Sequence, residues 1–150
     1  NINTKKIIHK VITINNFFKK NFRFKPKIGI LGLNPHNDEF RINSEEKRII
    51  IPAINYLRKK KLLINGPISP DTAFIDYKKN KLNVIIGMYH DQVLSPFKTM
   101  FKFNAINITL GLPFLRVSPD HGIARDILKK NKADPTSLIE AISFFKKINA

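Results

Sequence analysis

Two short apolar runs, Lys27-Ile-Gly-Ile-Leu-Gly-Leu33 and Asn83-Val-Ile-Ile-Gly-Met-Tyr89, each stop abruptly in polar residues. Both read as buried strands, and what lies around them is helical. Apolar residues recur at helical spacing from Ile7 to Phe22. Ser44 is placed to cap a second helix, with Glu45 and Glu46 at its positive end and Arg58 to Lys61 at its negative end. Asn65-Gly66-Pro67 and Pro70-Asp71 punctuate a loop, Ala105 to Leu110 predicts a third strand, and Asp134-Pro135 opens a last helix reaching about Ile148. Strands separated by helices imply an α/β layer structure with mostly parallel strands. In such sheets ligands meet the carboxyl ends of the strands. Asn34-Pro-His36 and His90-Asp-Gln92 fall at two of those ends.

The composition narrows the function classes. A chain of 150 residues, 43% hydrophobic with 12 Phe, has the length of one domain and can bury a core. No stretch approaches the roughly 20 apolar residues of a membrane span, and the first residues carry no signal-peptide pattern, so the expected compartment is the cytoplasm. With no Cys, disulfides and thiolate metal sites are excluded, and a metal would need His, Asp or Glu. The first residue is Asn1 rather than Met, which suits a piece of something longer.

A net charge of +16 raises the possibility of a nucleic-acid-binding module. However, the lysines are spread in pairs and triplets along the chain, such as Lys19-Lys20, Lys59-Lys60-Lys61 and Lys146-Lys147. Most fall at the ends of expected helices, where a cation suits the helix dipole. The charge reads as solvated surface, and nucleic acid is not the expected partner.

Parallel strands would bring His36 and His90 to one edge of the sheet. Two imidazoles there, in a Cys-free chain, are a candidate divalent-metal pair. The alternative is that each ring hydrogen-bonds a neighbouring loop. A catalytic metal needs a third ligand, and no His-x-x-x-His helix supplies one. His9 lies on a lysine-rich helix face, and His121 sits in a separate loop, Pro119-Asp-His-Gly122.

Taken together, Gly32-Leu-Asn-Pro-His36, Asn65-Gly-Pro67 with Pro70-Asp-Thr72, Met88-Tyr-His-Asp-Gln92, Asn107-Ile-Thr-Leu-Gly-Leu-Pro-Phe114 and Asp120-His-Gly122 resemble the 4-hydroxythreonine-4-phosphate dehydrogenase family. They stand in the family's order and at about its spacing, and they match only the family's C-terminal half. The resemblance implies an isocitrate/isopropylmalate dehydrogenase-like layered sheet, with residues 1–150 as a single fragment lacking the N-terminal half. It also implies oxidation of a phosphorylated hydroxy-amino acid with NAD or NADP in pyridoxal phosphate synthesis, followed by decarboxylation of the β-keto acid to 3-amino-2-oxopropyl phosphate. A divalent metal (zinc, magnesium or cobalt) would serve as Lewis acid. A homodimer with a shared active site is implied as well.

Residue by residue, His36 and His90 match the family's metal ligands, and the third family histidine belongs to the missing half. Lys98, Asn107 and Arg116 match substrate contacts, and Lys98 and Asp91 are the catalytic candidates. An anionic substrate wants fixed cations, and Arg offers a forked donor. Asp120, His121 and Gly122 match the loop that holds the adenosine end of the dinucleotide. The alternative for that segment is a turn capping a helix from Ile123 to Lys130. The chain departs from the family at Ile127 to Asn131, where small residues are usual, and at Asn37 to Asn43, which lacks the family's glycines. A catalytically inactive fragment is the remaining rival reading.

Overall fold

The structure, a computed structural model, describes residues 2–37 and 41–148. The chain divides into two compact units, residues 1–96 and 97–150.

The first unit is built on a three-stranded sheet in the order β2-β1-β3, with β1 at Lys27–Leu31, β2 at Leu63–Ile68 and β3 at Val84–Ile86. Both neighbours run parallel to β1; Ile28 faces Ile64 on one side and Val84 on the other. β1 is buried on both faces, as a central parallel strand must be. Helices α1 (Thr4–Phe22) and α2 (Ile51–Lys59) pack against one another. The core joins Ile7 and Val11 of α1, Ile28 and Ile30 of β1, Ala53, Ile54 and Leu57 of α2, and Ile64 of β2. Fully burying an aliphatic side chain of this size contributes about 1.5–3 kcal/mol.

The expected first helix extends one turn further back than Ile7, because the Asn3 side chain caps it by accepting from the Lys6 N–H. Ser44 does cap the second helical segment, its Oγ accepting from Lys47 N–H at 3.2 Å. That segment opens as a π-helical turn, Glu46–Ile50, before becoming α2. Pro52 lacks an N–H and would crowd a carbonyl one turn back, and the wider bond from Ile51 N–H to Glu46 O falls just before it. The basic pairs do sit at helix ends: Lys19 and Lys20 in α1, Arg58 and Lys59 in α2.

Two expectations need correction here. Asn65-Gly66-Pro67 is not a loop but the middle of β2. β2 is an edge strand, where a proline's missing N–H faces no neighbour, so the usual breaker does not break it. The strand expected from Asn83 to Tyr89 is only Val84–Ile86, and His90 begins the helix α4 (His90–Phe101) instead of closing a strand. Residues 70–73 form one helical turn, α3.

The second unit consists of an antiparallel ribbon, β4 (Ile106–Thr109) with β5 (Arg116–Pro119), and the helix α5 (Thr136–Ile148) packed against it. β5 was not expected from the sequence, and its pairing is not parallel. Its apolar and polar residues alternate over only four positions, too few to stand out. Asp134 caps α5 by accepting from Thr136 N–H at 2.8 Å. Ser137, fully buried, donates to Ala105 O at 2.5 Å and accepts from Asp120 N–H at 2.8 Å, so one hydroxyl ties α5 to the residue before β4 and the residue after β5. The helix considered for Ile123 to Lys130 is absent; only a single 3₁₀ turn forms, at Arg125–Ile127. Positive φ angles at Ala124 and Lys129 bracket that turn and interrupt any longer helix.

At Gly66 the backbone of β1 leaves no room for a side chain on β2. The glycine's φ is 144°, and a Cβ there would stand 2.5 Å from Ile30 O. Gly66→Ala is therefore expected to lower the unfolding free energy by at least about 1–3 kcal/mol, read as a fall in the urea midpoint at unchanged m-value.

Candidate functional site

β1 and β3 are adjacent and parallel, so their carboxyl ends open at the same edge of the sheet. The loop after β1 delivers His36, and the turn after β3 delivers His90 at the start of α4. Neither approach relies on the strand ladder beyond Leu31 and Ile86. Side chains take over its role.

Glu46, with no exposed surface, reaches from the π-helical turn back to the β1 loop. Its Oε1 accepts from Leu33 N–H at 2.7 Å and Asn34 N–H at 3.0 Å. Gln92, on the first turn of α4, does the same from the other side. Its Nε2 donates to Gly32 O at 2.8 Å, and its Oε1 accepts from Met88 N–H at 2.7 Å. One carboxamide thus bonds both strand ends, fixing the His36 loop against the His90 turn. Burial pushes the Glu46 carboxyl up, but the N–H donors of Asn34, Glu46 itself and Leu33, with the Asn34 side chain, outweigh it and hold the group below its ordinary value.

Each histidine has a carboxylate at the same ring nitrogen. His36 Nδ1 lies 3.4 Å from Asp71 Oδ2, and His90 Nδ1 lies 2.7 Å from Asp91 Oδ1. Both rings are largely exposed, at 76% and 77%. A carboxylate on Nδ1 leaves Nε2 as the free lone pair in the neutral ring, the arrangement that metal-ligating histidines usually show. Each ring, taken by itself, presents a nitrogen suited to a metal ligand. Among the described residues no group of three or more His, Cys, Asp or Glu is placed to hold a metal ion. His9 is exposed on α1, and His121 Nδ1 lies 3.1 Å from Gly122 O.

The other sequence-derived residues sit in the second unit. Lys98 Nζ pairs with Asp120 Oδ2 at 2.9 Å and also donates to the Asp120 carbonyl. Two residues expected to serve substrate and cofactor thus hold each other. Asn107 and Arg116 project from one face of the ribbon, since Thr109 faces Arg116 and Asn107 faces Ser118 in register. Both are exposed, and Arg116 donates to Thr109 Oγ1 at 2.9 Å. Gly122 has no positive φ, and a Cβ there would meet nothing within 4 Å. Of the loop Asn37 to Asn43, residues 38–40 lie outside the described residues.

Glu46, Gln92 and Asp71 escaped sequence reasoning as site residues. Glu46 was legible only as a dipole-favoured helix start, and Asp71 only as turn punctuation within a family-like motif. A carboxylate that reaches 13 residues back along the chain leaves no local signature.

Comparison with known proteins gives a consistent result. A family model described as "Pyridoxal phosphate biosynthetic protein PdxA" matches residues 1–145. A 4-hydroxythreonine-4-phosphate dehydrogenase from Sulfurihydrogenibium sp. is 53% identical over 143 residues, covering 94% of this chain and 44% of the relative. That of Aquifex aeolicus is 42% identical over 148 residues, covering 98% and 46%. Among solved structures, the enzyme of that name from Burkholderia phymatum superposes with a TM-score of 0.80 at 32% identity, over 99% of this chain and 46% of that one. The one from Klebsiella pneumoniae gives 0.78 at 34% identity, over 99% and 44%. The chain spans less than half the length of the curated relatives it matches.

The lowered pKa of Glu46 sets a pH dependence. A carboxyl whose folded value lies below its unfolded value of 4.5 stabilises the fold above pH 4.5, and that contribution is lost as pH falls through the folded value. Glu46→Gln is expected to cost about 1–3 kcal/mol at pH 7. It should also flatten the acid limb of stability below pH 4.5, measured as the urea midpoint against pH.

Proposed function

The chain belongs to the family described as pyridoxal phosphate biosynthetic protein PdxA, and from that membership we propose that it is the C-terminal part of an enzyme oxidising 4-hydroxythreonine 4-phosphate with NAD or NADP. The observation that carries the reading is the pair of imidazoles at the carboxyl ends of adjacent parallel strands, each with a carboxylate at Nδ1.

In this proposal Nε2 of His36 and of His90 hold one divalent cation, zinc, magnesium or cobalt, with a third ligand from outside the chain. Such a cation supplies Lewis acidity, acidifying the substrate hydroxyl before hydride leaves and polarising the ketone for loss of carbon dioxide. Asp71 and Asp91 orient the rings; Gln92 and Glu46 keep the two loops from drifting apart. Asp91 already engages His90, so its task is orientation first and proton transfer second.

Lys98, Asn107 and Arg116 bind the anionic substrate. The Asp120 carboxylate restrains the Lys98 ammonium, which leaves it placed as a cation for phosphate or carboxylate. Arg116 shares one face of the ribbon with Asn107 and offers a planar fork. Asp120, His121 and Gly122 contact the dinucleotide. The fold itself makes no demand for glycine at 122, which suits a position where a ligand comes close to the backbone.

Turnover of 4-hydroxythreonine 4-phosphate by the complete polypeptide containing this chain tests the reading. His90→Ala should remove bound metal and activity together, and a folded variant with wild-type metal content would overturn the ligand assignment. Arg116→Lys keeps the charge but breaks the fork; it should raise KM about tenfold or more while leaving metal content unchanged.

We propose further that the working enzyme is a homodimer whose site draws on both subunits, since no group of three or more His, Cys, Asp or Glu among the described residues is placed to hold a metal ion. Sedimentation equilibrium should then show a dimer under assay conditions. A fully active monomer would refute it.

A further inference from the structure

The His36–Asp71 pair bridges two loops, one after β1 and one at the start of α3. Exposed as it is, that pair contributes little to holding the loops together. One residue after His36 and two before Asp71 lies a second, less exposed connection. Asn37, only 4% exposed, donates through Nδ2 to Ser69 Oγ at 3.2 Å and, more weakly, towards Pro67 O at 3.5 Å. Ser69 is the N-cap residue of α3, yet its hydroxyl makes no cap bond and is left to receive the amide.

The backbone is shaped for this contact. Asn37 has φ 56°, a left-handed conformation that asparagine tolerates better than most residues. The room for its carboxamide comes from Gly32, where an added Cβ would stand 1.9 Å from Asn37 Oδ1. That oxygen has no hydrogen-bond partner among the described residues, so the side chain is held by its donor end alone. The contact lies next to His36 at its Asn37 end and two residues from Asp71 at its Ser69 end.

We propose that Asn37 is a positioning residue: its carboxamide locks the β1 loop to the α3 loop so that Asp71 stands at Nδ1 of His36 and Nε2 stays free. The proposal rests on the reading of His36 as a metal ligand only for its consequence in metal affinity, not for the lock itself.

The ring tautomer separates these two layers. In metal-free, ¹⁵N-labelled protein at about pH 8, long-range ¹H–¹⁵N spectra should show His36 mainly as the Nδ1–H tautomer, its signals assigned with His36→Gln. Asp71→Asn should shift the ring toward Nε2–H, and so should Asn37→Gly, which removes the amide while keeping the positive φ unstrained. Ser69→Ala removes the acceptor and should do the same, and it decides the matter if Asn37→Gly does not fold. The double variant Asn37→Gly/Ser69→Ala should shift the ring no further than either single change.

A wild-type tautomer in folded Asn37→Gly, or failing that in Ser69→Ala, overturns the proposal. So does a His36 ring that ignores Asp71→Asn. Zinc titration of the same proteins should show about tenfold weaker binding in Asn37→Gly. If the tautomer shifts as expected but the wild type binds no zinc through His36, the metal reading falls and the positioning role stands.

Discussion

Where β1 ends, the ladder stops supplying partners to the backbone, yet the N–H groups of Leu33 and Asn34 are still inside the protein. The buried carboxylate of Glu46 takes both. A carboxylate out of water is costly unless donors converge on it, and donors converge here because the backbone has nowhere else to place them. Remove the charge and the loop bearing His36 loses its anchor; remove the loop and the charge loses its solvation. Each makes the other tolerable. The π-helical turn that begins at Glu46 fits the same picture, since irregular helical turns are frequent where a side chain must be aimed.

Gln92 extends the arrangement across the sheet edge. An amide has both a donor and an acceptor end, so it can bond the Gly32 carbonyl at the end of β1 and the Met88 N–H beyond β3 at once. A carboxylate or an ammonium in its place would satisfy only one. The loops bearing the two histidines are therefore held by groups that do not touch the rings, while a carboxylate lies beside Nδ1 of each. The exposed pairs give orientation; the buried polar groups give position.

The second unit is organised by a smaller version of the same device. Ser137 both donates and accepts, tying Ala105, Asp120 and α5 together. Its hydrogen bonding matters more because the ribbon has only two strands, which seldom suffice alone. Large side chains of α5 such as Leu138, Ile139 and Ile142 stay exposed. The basic surface has no comparable organisation: lysines gather at helix C-termini, where the dipole accommodates them.

The layered fold with β1 at its centre was legible in the sequence because burial on two faces demands an uninterrupted apolar run, and Ile28, Ile30 and Leu31 provide it. The cap at Ser44 was legible too, being a bond between residues three apart, and so was the opening of the last helix near Asp134-Pro135. The motifs around His36, His90, Arg116 and Asp120 stood out as strings of rare residue types. What tertiary structure alone decided are the contacts between distant segments: β2 running through Gly66-Pro67, Glu46 serving Leu33, Gln92 reaching Gly32, Asn37 meeting Ser69, and Lys98 pairing with Asp120. Local chemistry sets which conformations a segment can take. Which segment supplies the missing hydrogen-bond partner depends on which strands lie side by side, and that is settled only when the sheet assembles.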